Sequence, residues 1–112
     1  MTNLLKETIE ELADNKKVPQ DVQWVGSQDG KYSLSWEQFA VKASQIDYDS
    51  GYGGQELASN LVVVGPDWWL ERHEYDGSEW WEFKTLPVCT EDTQAFTFTK
   101  IRDWGEWEIQ GV

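Results

Sequence analysis

A chain of 112 residues with 39% hydrophobic and 14% aromatic content has room for one domain and enough apolar material for a core, which excludes a two-domain arrangement and disorder. Its net charge of −12, from 21 acidic and 9 basic residues, repels phosphate backbones and anionic lipid headgroups, so direct nucleic-acid or membrane binding is not expected. A single cysteine, Cys89, and a single histidine, His73, exclude an internal disulfide and a histidine cluster; with no secretory leader in the first residues, a cytoplasmic location is expected.

Residues 3–16 spell a helix. Leu5, Ile9 and Leu12 recur at i, i+4 and i+7, with Leu4 and Ala13 widening the stripe. Thr2 or Asn3 can cap its start, Lys16 and Lys17 suit the negative end of its dipole, and Pro19 forces the chain out of helical geometry. Next, Val22–Val25 and Lys31–Leu34 flank Gly26–Gly30 as a hairpin. Ser35-Trp36-Glu37-Gln38 has the capping-box pattern of a second helix ending near Ser44, with Trp36, Phe39, Ala40 and Ala43 on one stripe. So short a helix depends on packing.

Asp47–Glu56 is the one break in composition, a loop with Gly51, Gly53 and Gly54 that can take positive φ. Its carboxylates, Asp47, Asp49 and Glu56, fail the calcium-loop pattern, because Tyr52 stands at the glycine position and Ala58 at the closing glutamate. Beyond weak Ca²⁺ affinity at Asp47 and Asp49, no metal or cofactor is expected.

Asn60–Val64 reads as a buried strand, and Gly65-Pro66-Asp67 turns the chain into a hairpin bearing two tryptophan doublets, Trp68-Trp69 and Trp80-Trp81. Strand alternation sends Trp68 and Trp81 inward and Trp69 and Trp80 outward. Keeping Trp68, Leu70, Trp81 and Phe83 on one face requires an even loop. An Asp76-Gly77 turn is chemically favoured but opposes Glu71 to Glu82 and Glu74 to Glu79. A four-residue loop, Asp76–Glu79, instead opposes Tyr75 to Trp80, His73 to Glu82 and Glu71 to Lys84. Pairs of this kind are worth ~0.2–1 kcal/mol each, so the four-residue loop is expected.

Phe96–Ile101 alternates, with Phe96, Phe98 and Lys100 on one side. Trp107-Glu108-Ile109 forms a last strand after the turn at Asp103-Trp104-Gly105. The whole reads as α+β, a single acidic domain over residues 1–112: an antiparallel sheet of about five or six strands with the N-terminal helix and the second short helix packed on it. Trp24, Trp68, Trp81, Phe83, Val62, Val64, Leu5, Ile9 and Leu12 are the expected core.

No catalytic signature stands out. His73 would have to serve any nucleophile, and neither a Gly-x-Ser-x-Gly elbow nor a phosphate-binding loop is present. Carboxylate pairs such as Glu71/Glu82 and Glu106/Glu108 are too numerous in so acidic a chain for spacing alone to indicate glycoside hydrolysis. The constellation that remains is acidic and aromatic: Trp69 and Trp80 with Glu71, Glu74, Asp76, Glu79 and Glu82, joined by Tyr48 and Tyr52. Interface centres favour Trp and Tyr, and charged rims steer the encounter.

The expected function is therefore a non-enzymatic protein-binding or inhibitor module that engages a basic protein surface, one that otherwise holds nucleic acid. An immunity or antitoxin role uses the same physics; a small carboxylate-based hydrolase and a carbohydrate-binding module are the alternatives from other classes. The opposing arrangement puts Trp69 and Trp80 under a helix or loop as a second small core. In composition, though over no aligned segment, the chain resembles accessory proteins of phages and mobile elements, some of which imitate DNA and block nucleases.

Overall fold

Both helices begin on side-chain caps. In the computed structural model, which describes residues 1–100 and 102–112, the short strand β1 (Thr2–Asn3) leads into α1 (Leu4–Asp14). There Asn3 Oδ1 accepts the Lys6 N–H at 3.1 Å. After a 3₁₀ turn at Pro19–Asp21 come β2 (Trp24–Ser27), β3 (Ser33–Leu34) and α2 (Trp36–Ala43). The capping box of α2 forms as its sequence predicts: Ser35 Oγ accepts the Gln38 N–H at 3.1 Å, and Gln38 Oε1 accepts the Ser35 N–H at 3.0 Å. Strands β4 (Asp47–Tyr48), β5 (Leu61–Val64), β6 (Trp68–Tyr75), β7 (Ser78–Thr85), β8 (Phe96–Lys100) and β9 (Trp107–Gly111) complete the chain.

The fold is α+β. Its five-stranded antiparallel sheet has the order β3-β2-β5-β6-β7, while β1 pairs with β4 and β8 with β9 as separate two-stranded ribbons. The expected last two strands therefore lie outside the main sheet, and Ile101, expected to end the first of them, lies outside the described residues. The Cα radius of gyration is 18.4 Å and the long axis 54 Å, whereas a compact chain of this length has a radius near 13 Å. The excess fits a β8–β9 ribbon that shares no backbone hydrogen bond with the five-stranded sheet among the described residues.

One face of the sheet packs on the helices. Val25, Val63, Leu70, Trp68 and Trp81 meet Leu4, Leu12, Phe39 and Ala43 there. Each large side chain so buried contributes about 1.5–3 kcal/mol.

The phase of α1 differs from expectation. Its buried stripe is Leu4, Thr8 and Leu12, while Leu5 is half-buried and Ile9 exposed. Thr8 can turn inward because its hydroxyl is satisfied twice: it donates to the Leu4 carbonyl at 2.7 Å and accepts the Trp81 indole N–H at 3.0 Å. Trp24, Val64 and Phe83, expected in the core, are only half-buried. The pairing Val25↔Val63 fixes those two toward the helices, so Trp24, Val62 and Val64 point to the opposite face, where Val62 is nonetheless buried as expected.

The β6–β7 loop also corrects the expectation. The chain turns on Asp76 and Gly77 alone, at φ 50° and 88°, opposing Tyr75 to Ser78, Glu74 to Glu79, His73 to Trp80 and Glu71 to Glu82. Positive φ at both central residues marks the turn whose twist matches a hairpin. The like-charge oppositions that disfavoured it are relieved by third parties. Arg72 neutralises Glu79 on the inner face, and His73 lies within reach of both Glu71 and Glu82 on the outer face.

Candidate protein-binding face

The pleat and register of the central strands determine what the helix-free face presents. From β6 come Trp69, Glu71 and His73, and from β7 Trp80, Glu82 and Lys84, with Val62 and Val64 of β5 and Trp24 of β2 beside them. Both Trp69 and Trp80 are half-exposed. They do point away from the core, as alternation predicts.

Along each strand the same ladder is built. On β6 the Trp69 indole N–H donates to Glu71 Oε1 at 2.7 Å, and Glu71 Oε2 lies 2.6 Å from His73 Nε2. On β7 the Trp80 indole N–H donates to Glu82 Oε2 at 3.1 Å, and Lys84 Nζ sits 3.2 Å from Glu82 Oε1. His73 Nδ1, 3.4 Å from Glu82 Oε2, ties the two ladders together. The Trp69 hydrogen bond, supported by His73, holds the Glu71 carboxyl below the usual carboxylate range. For Glu82 the Lys84 contact leads, followed by Trp80, with the same direction. Both carboxylates thus stay ionised while fixing the indole rings above them.

Exposed acids border this face, with Asp67 at one end of the hairpin and Asp76 at the other. Tyr52 is exposed in the glycine loop.

Three expected site residues lie elsewhere, the exposed Glu74 among them, because its pairing with Glu79 turns it to the inner side of the sheet. Tyr48 is 2% exposed: its hydroxyl donates to the Glu7 carboxylate at 2.7 Å and accepts from Arg72 Nη2 at 2.9 Å. Burial and the Glu7 carboxylate push its pKa up. Glu79, 3% exposed on the inner face, accepts from Arg72 at 2.8 Å and from the Glu56 N–H at 2.6 Å. Tyr48 and Glu79 both belong to the buried support of the sheet. Single-residue exposure is poorly legible in sequence, and here a distant arginine decides it.

Sequence reasoning passed over His73 and Lys84 as members of the site. The signal was present as a period-2 repeat, Trp-x-Glu-x-His over 69–73 and Trp-x-Glu-x-Lys over 80–84. Residues at i and i+2 share a face of a strand, so each tryptophan meets its own glutamate, and each glutamate its own nitrogen partner, His73 or Lys84. Among the described residues, no three His, Cys, Asp or Glu side chains are grouped to hold a metal ion. No helix among them is long and apolar enough to cross a membrane.

Comparison with known proteins returns nothing. No family model, no curated protein and no solved structure matches the chain.

Proposed function

We propose that the chain is a non-enzymatic protein-binding module that docks a basic protein surface on the helix-free face of its sheet. The observation that carries this reading is the paired ladder, in which Glu71 and Glu82 lock the rings of Trp69 and Trp80 in place. Rings fixed before binding lose little side-chain freedom on association, and tryptophan is favoured at the centre of interfaces. The carboxylates beneath and around them match lysine and arginine on a partner, and a net charge of −12 speeds the encounter. A basic surface that otherwise holds nucleic acid is the partner class this charge suits best. Inhibition of such a protein, or neutralisation of a basic toxin, follows from the same contact.

The test is affinity capture from the source cell at low and high salt, followed by mass spectrometry, with Trp69→Ala/Trp80→Ala run in parallel. The expected result is a basic protein whose capture weakens as salt rises through the physiological range, where exposed charges are screened within ~8 Å. Its capture should also fall in the double variant and on addition of duplex DNA or RNA. Equal capture by wild type and variant would refute the role of this face.

A further inference from the structure

The β8–β9 ribbon presents an apolar face that no other element covers among the described residues. Its register, Phe96↔Gly111, Phe98↔Ile109 and Lys100↔Trp107, gathers four large hydrophobic side chains on one side, while Thr97, Thr99, Glu108 and Gln110 occupy the other. Phe96 is 52%, Phe98 60%, Trp107 63% and Ile109 71% exposed. The two phenyl rings pack edge to face at 5.4 Å, so the patch is already ordered within itself. Lys100 does not break it: its ammonium lies 5.2 Å from the centre of the Trp107 ring and donates to the Asp103 carbonyl at 3.3 Å.

A lone two-stranded ribbon is marginal in water, and stability needs further strands or a packed face. From these exposures the four side chains leave roughly 500 Å² of surface in water, at the upper end of what monomers usually expose in one patch.

We infer that the chain forms a two-fold dimer through this face, two ribbons stacking into a small four-stranded sandwich. The geometry is self-complementary. A two-fold axis lying across the strands sets Phe98 against its counterpart and Ile109 against its counterpart. It sets the bulky Trp107 over the partner's Gly111, which offers no side chain. Burying both copies of the patch removes about 1,000 Å² from water, the threshold for a specific interface. Charge permits the contact as well. Of the net −12, residues 86–112 carry −3, from Lys100 and Arg102 against Glu91, Asp92, Asp103, Glu106 and Glu108, leaving −9 on residues 1–85. The elongation of the molecule, 54 Å along its axis, lets two ribbons meet while most of the charge lies away from the contact.

Sedimentation equilibrium of the full chain tests this, in wild type and in Phe98→Ser/Ile109→Ser. Wild type is expected at twice its 13.0 kDa mass in the micromolar range, and the double variant is expected to dimerise at least about tenfold more weakly. A wild type that stays monomeric up to millimolar concentration overturns the inference, and so does a dimer that the double variant leaves intact. Salt gives a second measurement that needs no variant. An apolar contact between like-charged bodies tightens when salt rises from low to high, whereas a dimer that loosens with salt overturns the inference. That sign is opposite to the one expected for capture of a basic partner, so the two proposals fail separately.

Discussion

Replacing Arg72 with methionine should remove a large part of the stability of this fold. The Arg72 side chain is wholly buried, 2.8 Å from Glu79, whose own side chain is 1% exposed, and 3.1 Å from Glu7. Its guanidinium also donates to the Tyr48 hydroxyl at 2.9 Å and lies 4.7 Å from the centre of the Trp81 ring. Methionine fills much of the same volume but strands the Glu79 carboxylate among apolar neighbours. Breaking a buried pair from one side costs about 3–5 kcal/mol, a large fraction of the roughly 5–15 kcal/mol that holds a domain together. Urea unfolding followed by tryptophan fluorescence measures the loss. The decisive comparison is the double variant Arg72→Met/Glu79→Gln, in which the neutral glutamine still accepts the Glu56 N–H and no charge remains at position 79, while Glu7, 19% exposed, loses its arginine in both variants alike. It should be more stable than Arg72→Met alone by about 2 kcal/mol, since a buried pair replaced from both sides is often near neutral. A single variant costing under about 1 kcal/mol, or a double variant worse than the single, would refute the assignment of this pair as the centre of the inner face.

Other perturbations test separate parts of the structure. Gly77→Ala should cost more than Gly30→Ala in the same unfolding assay. Both glycines have positive φ, 88° and 74°, but a Cβ on Gly77 would lie 2.6 Å from the Gly53 carbonyl oxygen, while one on Gly30 would meet nothing within 4 Å. The conformational term alone is about 1–2 kcal/mol, so equal losses would disprove the clash. Ser35→Ala, which removes the cap of α2, should cost about 1 kcal/mol, and no loss would mean that α2 is held by packing alone. Trp69→Phe should raise the pKa of Glu71, read by carbon NMR of the carboxyl. Because Glu71 titrates lower in the folded state than unfolded, its contribution is full above the ordinary value of 4.5 and is lost as pH falls through the folded value. The variant should therefore lose less stability on acidification; an unmoved Glu71 would disprove the indole hydrogen bond.

What could be read from sequence was whatever depends on local period. The two tryptophan doublets straddle a turn, so alternation placed Trp68 and Trp81 in the core and Trp69 and Trp80 outside it, and the capping box located α2. Distant partners set the rest. The hairpin loop is not legible because Glu79 and Glu74, as an isolated like-charge pair, disfavour the two-residue turn; Arg72, together with the amides of Glu56 and Leu57, reverses that balance. The phase of α1 is hidden for the same kind of reason: Thr8 is a poor core residue until the Trp81 indole, 73 positions away, reaches its hydroxyl. Tyr48 carried the signature of an interface aromatic, and only the ion pair beneath it explains its burial. The ribbon at 96–111 had a legible strand pattern, but nothing in that pattern tells whether a strand joins the main sheet or stands apart.

The bonds from Glu79 to the Glu56 and Leu57 amides give the glycine loop a different character from the one its composition suggests. Three glycines in four residues ordinarily mean a segment that opens and closes on its own. Here the loop is moored to a carboxylate whose cationic partner, Arg72, is itself sealed beneath α1 and the Trp81 ring. To lift away, Glu56 and Leu57 must abandon that anchor or draw it toward water, and drawing it out dissolves the ion pair at the same moment. Opening of the loop and loosening of the sheet's inner face are thereby one event. The amides of these two residues should exchange with solvent on the timescale of the core strands rather than that of a free loop.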